Sequence, residues 1–296
     1  MQVENLFNRV KYYEPMKDHT SFKVGGKVDI YFEPENTTEL AHFITYLRRK
    51  DVPYYIIGNG TNLLVSDEGI RGAVVKIGNK MSSVEVTDEM IIAESGALLS
   101  ALSKLALESS LSGLEFGNGI PGSVGGAITM NAGAYGCEIK DVFEKAEVLD
   151  ESLNLKILNN KEMEFAYRKS ILAKKEYIVL KSYFKLTRDS KSKIRKLMDE
   201  LTKKRQSKQP IDLPSAGSIF KRPEGYYAAK LIEDAGLKGL ALGDAQVSDK
   251  HSGFIVNKGN AAAKDIYNLI KHVQRTVYER YGVTLETEIK LLGEFE

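Results

Sequence analysis

Two glycine-rich segments of this chain are the features best suited to bind a phosphate-bearing ligand. The longer one, residues 113–136, holds eight of the 25 glycines and one charged residue, Glu115. Glycine loses the most conformational freedom on folding, so this density is expected where backbone approaches a ligand closely or adopts positive φ. The shorter one, residues 58–63, follows the apolar run 54–57. Backbone N–H groups bared in such loops can point at phosphate oxygens, which predicts a large cofactor held at two places.

Three other polar segments could do chemistry, although residue type alone favours a structural role for each. Arg168 follows an apolar pair, Ser218 follows the small residues 216–217, and Glu286 and Glu288 alternate with apolar positions of a predicted strand. A surface arginine, a serine with no paired base and carboxylates on an exposed strand face are the ordinary interpretations. Catalysis at these positions therefore needs support from the rest of the chain.

The histidines and the single cysteine predict no metal site and no disulfide within the chain. The four histidines match no HExxH-like spacing. Cys137 is the only cysteine, which excludes an intrachain disulfide and a cysteine-rich metal site.

Composition indicates a globular protein whose main partner is not nucleic acid. The chain has 296 residues, is 43% hydrophobic and 28% charged, and carries a net charge of +2. That length allows two or three domains, and the charge balance still permits a local basic pocket. The first 15 residues lack an apolar core of signal-peptide length, and no apolar run approaches the ~20 residues of a membrane span. We therefore expect a soluble, cytoplasmic protein with no membrane partner.

The spacing of apolar residues predicts an α+β chain that would position these segments. Strands are predicted at residues 28–32, 54–57, 73–77, 90–94, 145–149, 177–186 and 284–292. Helices are predicted at residues 37–50, 98–109, 188–208, 226–235 and 262–281. Asn36 and Glu39 match a capping box, and Gly236 and Gly282 are the expected C-caps of the last two helices. No GxGxxG follows a first strand, so a Rossmann dinucleotide fold is disfavoured.

The predicted helix at 188–208 is dense in lysine and arginine. Its apolar residues share one face, namely Ile194, Leu197, Met198 and Leu201. A solvated amphipathic helix is the main interpretation, and a nucleic-acid-binding arm is the alternative. Pro210 and Pro214 end the helix, so a domain boundary is expected at residues 188–212.

Taken together, the segments resemble the MurB family, the UDP-N-acetylenolpyruvoylglucosamine reductases of bacterial peptidoglycan synthesis. Seven ordered segments carry the resemblance: 19–26 (HTSFKVGG), 58–64 (GNGTNLL), 119–126 (GIPGSVGG), 131–136 (NAGAYG), 167–170 (YRKS), 216–221 (AGSIFK) and 285–289 (LETEI). They span nearly the whole chain, which is far more specific than one glycine loop. The chain is similar to the shorter class, which lacks an inserted tyrosine-bearing loop.

The resemblance implies an FAD-binding domain of the vanillyl-alcohol-oxidase (PCMH) type in two subdomains, 1–78 and 79–190. An α+β substrate-binding domain, 191–283, would follow, and a C-terminal strand, 284–296, would carry Glu288 back to the active site. FAD would be bound non-covalently, with the 58–63 loop on the diphosphate. The implied FAD contacts are Gly58, Asn59, Gly60, Thr61, Asn62, Leu63, Gly119, Pro121, Gly122, Ser123, Gly125, Gly126, Asn131 and Gly133.

The implied reaction is a two-step hydride relay with NADPH as co-substrate. NADPH reduces FAD and leaves, and UDP-N-acetylglucosamine enolpyruvate then accepts hydride from flavin N5 at C3 and a proton at C2. Arg168 suits the substrate carboxylate because its planar fork binds carboxylates bidentately. The family assigns proton donation to Ser218 and an assisting role to Glu288, which motif alignment selects over Glu286.

The negative charge that the implied reaction builds on the substrate restricts which groups can lie in the site. Negative charge that spreads into the carboxylate as an enediolate would be repelled by a bare Glu288 anion. A raised glutamate pKa or a cationic neighbour is therefore expected. Lys221 is a possible source of positive charge near Ser218. The implied nucleotide-sugar contacts are Tyr167, Lys208, Lys221 and Arg222, the last standing where many relatives have asparagine.

Two other functions stay open from the sequence. One is an FAD-dependent oxidase of an alcohol or hydroxy acid, in which flavin is often linked covalently, here through His19 or Cys137. The other is a non-catalytic module that binds a nucleotide sugar, which the two intact glycine loops disfavour. We expect free FAD and a monomeric protein.

Overall fold

The computed structural model describes residues 9–295, which form two compact units. Unit 1 comprises residues 9–10, 32–59 and 74–205, and unit 2 comprises residues 11–31, 60–73 and 206–295. The outermost parts of the predicted first domain and C-terminal strand, residues 1–8 and 296, lie outside the described residues. Unit 2 thus combines two short segments from the first quarter of the chain with the C-terminal part.

The helices and strands follow the α+β pattern. The helices are α1 (Thr37–Arg49), α2 (Leu99–Glu108), α3 (Val124–Thr129), α4 (Lys191–Lys208), α5 (Ala228–Asp234) and α6 (Ala263–Tyr281). The strands are β1 (Lys11–Pro15), β2 (Lys27–Phe32), β3 (Tyr54–Ile57), β4 (Leu63–Val65), β5 (Ile70–Lys76), β6 (Val84–Thr87), β7 (Met90–Glu94), β8 (Leu111–Ser112), β9 (Gly133–Ala134), β10 (Cys137–Glu138), β11 (Phe143–Leu149), β12 (Leu155–Asn159), β13 (Ile178–Lys185), β14 (Thr187–Arg188), β15 (Ala241–Leu242), β16 (Ala245–Val247), β17 (Ile255–Asn257) and β18 (Lys290–Leu292). Strands β1, β2, β5 and β3 form one sheet in that order, and the division between the units falls within β2 and β5.

Unit 1 is built on a five-stranded antiparallel sheet in the order β12-β11-β13-β7-β6. Its core contains Phe143 and Phe184, whose rings meet edge to face with centroids 6.4 Å apart. Phe165 packs on Phe143 in the same geometry at 5.1 Å. The aromatic core therefore anchors the segment that leads to Arg168.

Unit 2 packs α5 and α6 against the three-stranded sheet β15-β16-β17 and the parallel pair β18-β4. Helix α6 buries Ile266, Ile270 and Val273 on one face, at the spacing of an amphipathic helix. Gly282 follows with a left-handed φ of 66° and ends the helix.

Most predicted elements are confirmed, and one strand prediction is wrong. Strands β3 and β7 have the predicted bounds, and the Asn36 side chain caps α1 by accepting from Glu39 N at 2.9 Å. The predicted strand 284–292 is a strand only at Lys290–Leu292. The preceding segment pairs with residues 219–221, whereas β18 pairs with β4, so no single ladder runs along residues 284–292.

No helix in the described part of the chain has the length and apolar character needed to cross a membrane.

Alkaline titration tests the hydrogen bond from the Tyr183 hydroxyl to the Glu147 carboxylate. This bond, followed by burial and the Glu147 charge, raises the pKa of Tyr183 to about 12. Folding thus favours the neutral phenol, and its stabilising effect is complete below the unfolded pKa near ~10 and is lost as pH rises through about 12. Ultraviolet absorbance should show one late tyrosinate step that Tyr183→Phe lacks.

Glu147→Gln is the control for this titration, since it keeps the phenol and removes the charge. The late step should then move to lower pH. An unchanged titration curve in Tyr183→Phe would contradict the assignment.

Candidate active site

The two glycine loops predicted to hold a cofactor touch each other in unit 1. A Cβ on Gly58 would lie 2.1 Å from the Ser123 hydroxyl oxygen, so the position has no space for a side chain. Ser123 is buried and is the N-cap of α3, where its hydroxyl accepts a hydrogen bond from Gly126 N at 3.4 Å. The Ser123 side chain therefore connects the shorter loop to the longer one.

The connection between β7 and α2 holds the longer loop in place. Val124 N donates to Ala97 O at 2.8 Å, and Gly125 N donates to Ser95 O at 2.9 Å. A Cβ on Gly125 would lie 3.0 Å from Ser95 Cβ, whereas one on Gly126 would meet no atom closer than 3.5 Å. Packing within the protein therefore explains glycine at position 125, and position 126 has more room.

The remaining predicted cofactor residues of these loops lie at turns and at a strand start. Gly119 ends a short 3-10 helix, Glu115–Gly119, and Pro121 is exposed. Gly122 O accepts a hydrogen bond from the first residue of α2 at 3.0 Å. Leu63 is the first residue of β4.

In unit 2, the segment that contains His19 supports the backbone at Gly60. Gly60 has a left-handed φ of +62°, and a Cβ there would lie 2.0 Å from His19 O. Ser21 N donates to Gly60 O at 3.2 Å. The motif at residues 19–26 thus forms the wall behind the shorter glycine loop.

The His19 ring is held by two partners that sequence reasoning missed. Its Nε2 lies 3.0 Å from a Glu14 carboxylate oxygen, and its Nδ1 lies 3.1 Å from the Tyr31 hydroxyl oxygen. The Tyr31 ring also stacks on the imidazole, with centroids 4.3 Å apart. Burial alone would raise the pKa of Glu14, but hydrogen bonds and charge from Lys11 and His19 hold it below its usual value. Tyr31 reaches His19 because β1 pairs with β2, a contact that the spacing did not indicate.

The shorter loop presents backbone donors suited to an anion. Within residues 9–295, the amide N–H groups of Asn59, Gly60 and Thr61 have no hydrogen-bond acceptor. Asn62 Nδ2 donates to Glu288 O at 3.1 Å. Bare amides beside positions that exclude side chains fit the diphosphate of FAD. The same loop holds the backbone of Glu288.

Arg168 lies at the tip of a tight hairpin in unit 1. Ala166 and Lys169 exchange two backbone hydrogen bonds, at 3.0 and 3.2 Å, around Tyr167 and Arg168. Arg168 has φ of +55°, a conformation uncommon for a residue with a side chain and often found at functional sites. Its Nη2 donates to Gly133 O at 3.1 Å, which orients the guanidinium.

Asn131 fixes this hairpin to the longer glycine loop. It is fully buried, and its side-chain amide donates to Glu138 at 3.0 Å and to Ala166 O at 3.2 Å. Its side-chain oxygen accepts from Lys140 N at 3.0 Å. Asn131, predicted as a cofactor contact, thus makes protein hydrogen bonds that position the turn carrying Arg168.

Ser170 is a second support of the hairpin. It is buried, and its hydroxyl donates to Thr129 O at 3.0 Å. Both supports connect the YRKS segment to the end of the glycine-rich stretch. The sequence held the two motifs 30 residues apart and gave no signal of their contact.

Ser218 and Glu288 lie on adjoining segments of unit 2. Glu288 N donates to Ile219 O at 2.7 Å, and Ile219 N donates to Gly253 O at 2.9 Å. Both Ser218 and Glu288 are half-buried. The structure therefore brings the predicted proton donor and catalytic carboxylate onto neighbouring backbones, while Arg168 belongs to unit 1.

The competing carboxylate, Glu286, has a different environment. Its side chain is 71% exposed and forms an ion pair with Lys221 Nζ at 2.9 Å. The Lys221 ammonium is thus paired with the Glu286 carboxylate and not with Glu288. This surface ion pair distinguishes Glu286 from Glu288, whose catalytic role stays a prediction.

The other predicted substrate contacts are exposed. Arg222 lies over the Tyr227 ring, with its guanidinium carbon 4.1 Å from the centroid, and Arg168 lies 5.2 Å from the Tyr167 centroid. Lys208 is exposed at the end of α4. Within the described residues, no group of three or more His, Cys, Asp or Glu residues could hold a metal ion.

Comparison with known proteins gives consistent matches along the chain. Residues 28–152 match an FAD binding domain, and residues 209–292 match the C-terminal domain of UDP-N-acetylenolpyruvoylglucosamine reductase. Two similar proteins carry that reductase name: one from Caldanaerobacter subterraneus subsp. tengcongensis, 57% identical over 99% of this chain and 97% of the relative, and one from Clostridium tetani, 53% identical over 99% and 95%. The crystal structure of the Thermus caldophilus reductase (MurB) is 36% identical, with TM-score 0.84 over 96% of this chain and 99% of that one.

Gly60→Ala tests whether crowding behind the shorter loop matters. Gly282→Ala is the matched control, because Gly282 has φ of +66° with no atom within 4 Å of a Cβ. The control should lose about 1–2 kcal/mol of unfolding free energy from the left-handed conformation alone. Gly60→Ala should lose more, about 3 kcal/mol, and should also retain less FAD, because the Cβ displaces backbone.

Urea unfolding and the flavin content of the purified variants measure the two effects. Equal losses of stability and equal flavin content in both variants would contradict this expectation, because they would show that the His19 backbone can move away from a Cβ at position 60 without loss of stability or of FAD.

Proposed function

The chain belongs to the UDP-N-acetylenolpyruvoylglucosamine reductase family, and we propose that Arg168, Ser218 and Glu288 do the chemistry of its reaction. It is an FAD-containing oxidoreductase that reduces UDP-N-acetylglucosamine enolpyruvate with NADPH in peptidoglycan precursor synthesis. The observation that supports the residue roles best is the 2.7 Å hydrogen bond from Glu288 N to Ile219 O. It aligns the segments of the proposed acid and the proposed carboxylate.

Arg168 binds the enolpyruvyl carboxylate in this proposal. Negative charge grows on that carboxylate as hydride adds to C3, so a fixed cation there stabilises the transition state more than the ground state. The hairpin and the bond to Gly133 O orient the guanidinium before substrate arrives. Bound FAD supplies the hydride, which it takes from NADPH.

Ser218 donates the proton to C2. A serine hydroxyl is a weak acid, so it needs a carbanion-like acceptor, and the enediolate formed on the substrate is one. The hydroxyl lies on a half-buried segment whose backbone is bonded on both sides, to Gly253 and to Glu288. Such a segment keeps the donor at a constant position.

Glu288 acts as a protonated donor to the developing charge, because a carboxylate anion there would oppose it. Its backbone is held on both sides, since its N–H donates to Ile219 O and its C=O accepts from Asn62. Glu286 stays outside the reaction because it pairs with Lys221 on the surface.

The proposal also covers the ligand contacts, the domain bounds, the oligomeric state and the location of the enzyme. The glycine loops bind the FAD diphosphate, and Tyr167, Lys208, Lys221 and Arg222 contact the nucleotide sugar. The proposed functional divisions are FAD-binding subdomains at 1–78 and 79–190, a substrate-binding domain at 191–283 and a C-terminal segment at 284–296. They differ from the two compact units, because residues 11–31 and 60–73 group with unit 2. The enzyme works as a monomer in the cytoplasm, where relatives of this family make peptidoglycan precursors.

Ser218→Ala should separate the two half-reactions. Reduction of the flavin by NADPH should stay nearly normal, because no proton goes to substrate in that step. Reoxidation by UDP-N-acetylglucosamine enolpyruvate should slow by about 10²–10⁴-fold, the scale of a lost general acid. Anaerobic stopped-flow absorbance measures both rates.

Ser215→Ala is the control, since Ser215 is a half-buried serine three residues earlier in the same segment. It should leave both rates unchanged. Equal slowing of the two half-reactions in Ser218→Ala would overturn the proton-donor assignment.

A paired substitution tests which carboxylate acts. Glu288→Ala should slow flavin reoxidation by about tenfold or more, because alanine removes the proposed donor, while Glu286→Gln removes a surface ion pair worth at most about 1 kcal/mol. The same stopped-flow measurement applies. A larger loss in Glu286→Gln would reverse the assignment.

A further inference from the structure

Glu14, His19 and Tyr31 form a polar cluster within unit 2, which we call the His19 clamp. The His19 side chain is only 10% exposed, and Tyr31 is fully buried. The two partners come from different strands, Glu14 from β1 and Tyr31 from β2, which pair antiparallel. Both ring nitrogens of His19 are therefore held by one strand pair, and the stacked Tyr31 ring covers one face of the imidazole.

The charge of Glu14 sets the direction of the hydrogen bonds in the clamp. Burial opposes its ionisation, but hydrogen bonds and charge from Lys11 and His19 hold its pKa below the usual value. An ionised carboxylate only accepts, so His19 Nε2 donates to it, and Lys11 Nζ donates to it as well at 2.8 Å. In the neutral ring Nδ1 then accepts from the Tyr31 hydroxyl. Each group thus has a defined donor or acceptor role.

The backbone of His19 carries the contact with the shorter glycine loop. A Cβ on Gly60 would lie 2.0 Å from His19 O and 3.2 Å from Thr20 Cα, and Ser21 N donates to Gly60 O. His19 ends a short 3-10 helix, Met16–His19, and residues 20–26 belong to no helix or strand. No sheet ladder holds this wall, so the clamp is the ordered support that lies nearest to the contact in the chain.

The alternative is that His19 only fills space in the interior. An apolar ring would stack on Tyr31 equally well and would avoid the cost of burying an imidazole. Two directed hydrogen bonds add what packing alone does not provide, because they fix the rotation of the ring and so the position of the backbone that bears it. A fixed carbonyl is what the close approach at Gly60 requires.

We propose that the His19 clamp is a positioning device for FAD, and that His19 is a positioning residue that acts through Gly60. The clamp holds the His19 carbonyl against the shorter loop, which keeps the amides of Gly60 and Thr61 aimed at the FAD diphosphate. Preorganised donors raise affinity because binding then costs less ordering of the loop. The inference rests on the proposed assignment of this loop to the diphosphate.

The clamp also argues against a covalent flavin link through His19. A flavin bonded to either ring nitrogen would take the place of Glu14 or of the Tyr31 hydroxyl. Acid precipitation of the loaded protein should therefore leave all of the flavin in the supernatant. Flavin in the pellet of the wild type that is absent from the pellet of His19→Phe would overturn the proposal.

Tyr31→Phe is the sharpest test, because it keeps the stacked ring and removes only the hydroxyl. Tyr183→Phe is the matched control, since it also removes a tyrosine hydroxyl bonded to a polar side chain, but in unit 1. FAD is titrated into the FAD-stripped full chain, and flavin fluorescence gives the dissociation constant. Tyr31→Phe and His19→Phe should each raise it by about tenfold, and Tyr183→Phe should not change it.

A rescue and a double variant separate the clamp from general packing. His19→Gln should recover part of the affinity lost in His19→Phe, because its amide can donate to Glu14. The variant with both His19→Phe and Tyr31→Phe should bind FAD within about twofold of the weaker single variant, since the two residues act as one unit. No recovery in His19→Gln, or fully multiplied losses in the double variant, would overturn the proposal.

ADP locates the effect on the ligand, because it carries the diphosphate without the flavin ring. Its competition constant against FAD should rise in Tyr31→Phe by the same factor as the FAD dissociation constant. With FAD saturating, both half-reactions should keep rates within about twofold of the wild type. Unchanged ADP competition beside weakened FAD, or an FAD constant within twofold of the wild type in Tyr31→Phe and His19→Phe, would overturn the proposal.

Failure of the clamp and failure of the loop assignment have different signatures. If Gly60→Ala weakens FAD binding while Tyr31→Phe and His19→Phe do not, the loop holds FAD without help from the clamp. If Gly60→Ala also binds FAD normally, the loop assignment itself is wrong. The role of Ser218 is judged separately, from the rate of flavin reoxidation in Ser218→Ala.

Discussion

The absence of side-chain space at Gly58 and Gly60 is the constraint on which the rest of the site depends. The Ser123 hydroxyl occupies that space at one position and the His19 carbonyl at the other. The loop backbone thus packs against a side-chain hydroxyl at Gly58 and against a backbone carbonyl at Gly60, and the amides of residues 59–61 are left available for an anion. The loop continues into Asn62, whose side chain holds the backbone of Glu288. One segment therefore carries both the proposed cofactor contacts and the hydrogen bond to the backbone of Glu288.

The negative charge that develops on the substrate accounts for the proposed roles of the remaining site residues. The reaction places negative charge on the enolpyruvyl group, and preorganised donors stabilise such charge without reorganising during the step. Arg168 is preorganised by its hairpin, which Asn131 and Ser170 attach to the longer glycine loop. Glu286 already has a cationic partner in Lys221, which distinguishes it from Glu288. Most of the contacts described at this site hold backbone segments in place, and only a few side chains are proposed to react.

Local patterns in the sequence predicted local structure well. Strands β3 and β7 have short apolar runs bounded by turn residues, and α6 has a long periodic face ended by Gly282. The strand predicted at 284–292 failed because its two halves pair with different partners, which no alternation reveals. Catalytic residues came from motif order, because residue type alone favoured structural roles for each.

Contacts between distant motifs could not be predicted from the sequence. The His19 partners depend on the pairing of β1 with β2, and the role of Asn131 depends on a turn 35 residues later. Arg205 packs against Gly119, although the sequence favoured a solvated basic helix at this position. In each case the sequence indicated the segment, but the partners of its side chain depend on tertiary packing.

The most direct test of the central constraint is an experimental structure of the FAD-loaded protein. A diphosphate oxygen should lie within hydrogen-bond distance, about 3 Å, of the backbone nitrogen of Asn59, Gly60 or Thr61. The Cα atoms of Gly58 and Gly60 should stay packed against Ser123 and His19. A diphosphate bound elsewhere, with those amides facing solvent, would contradict the assignment of this loop.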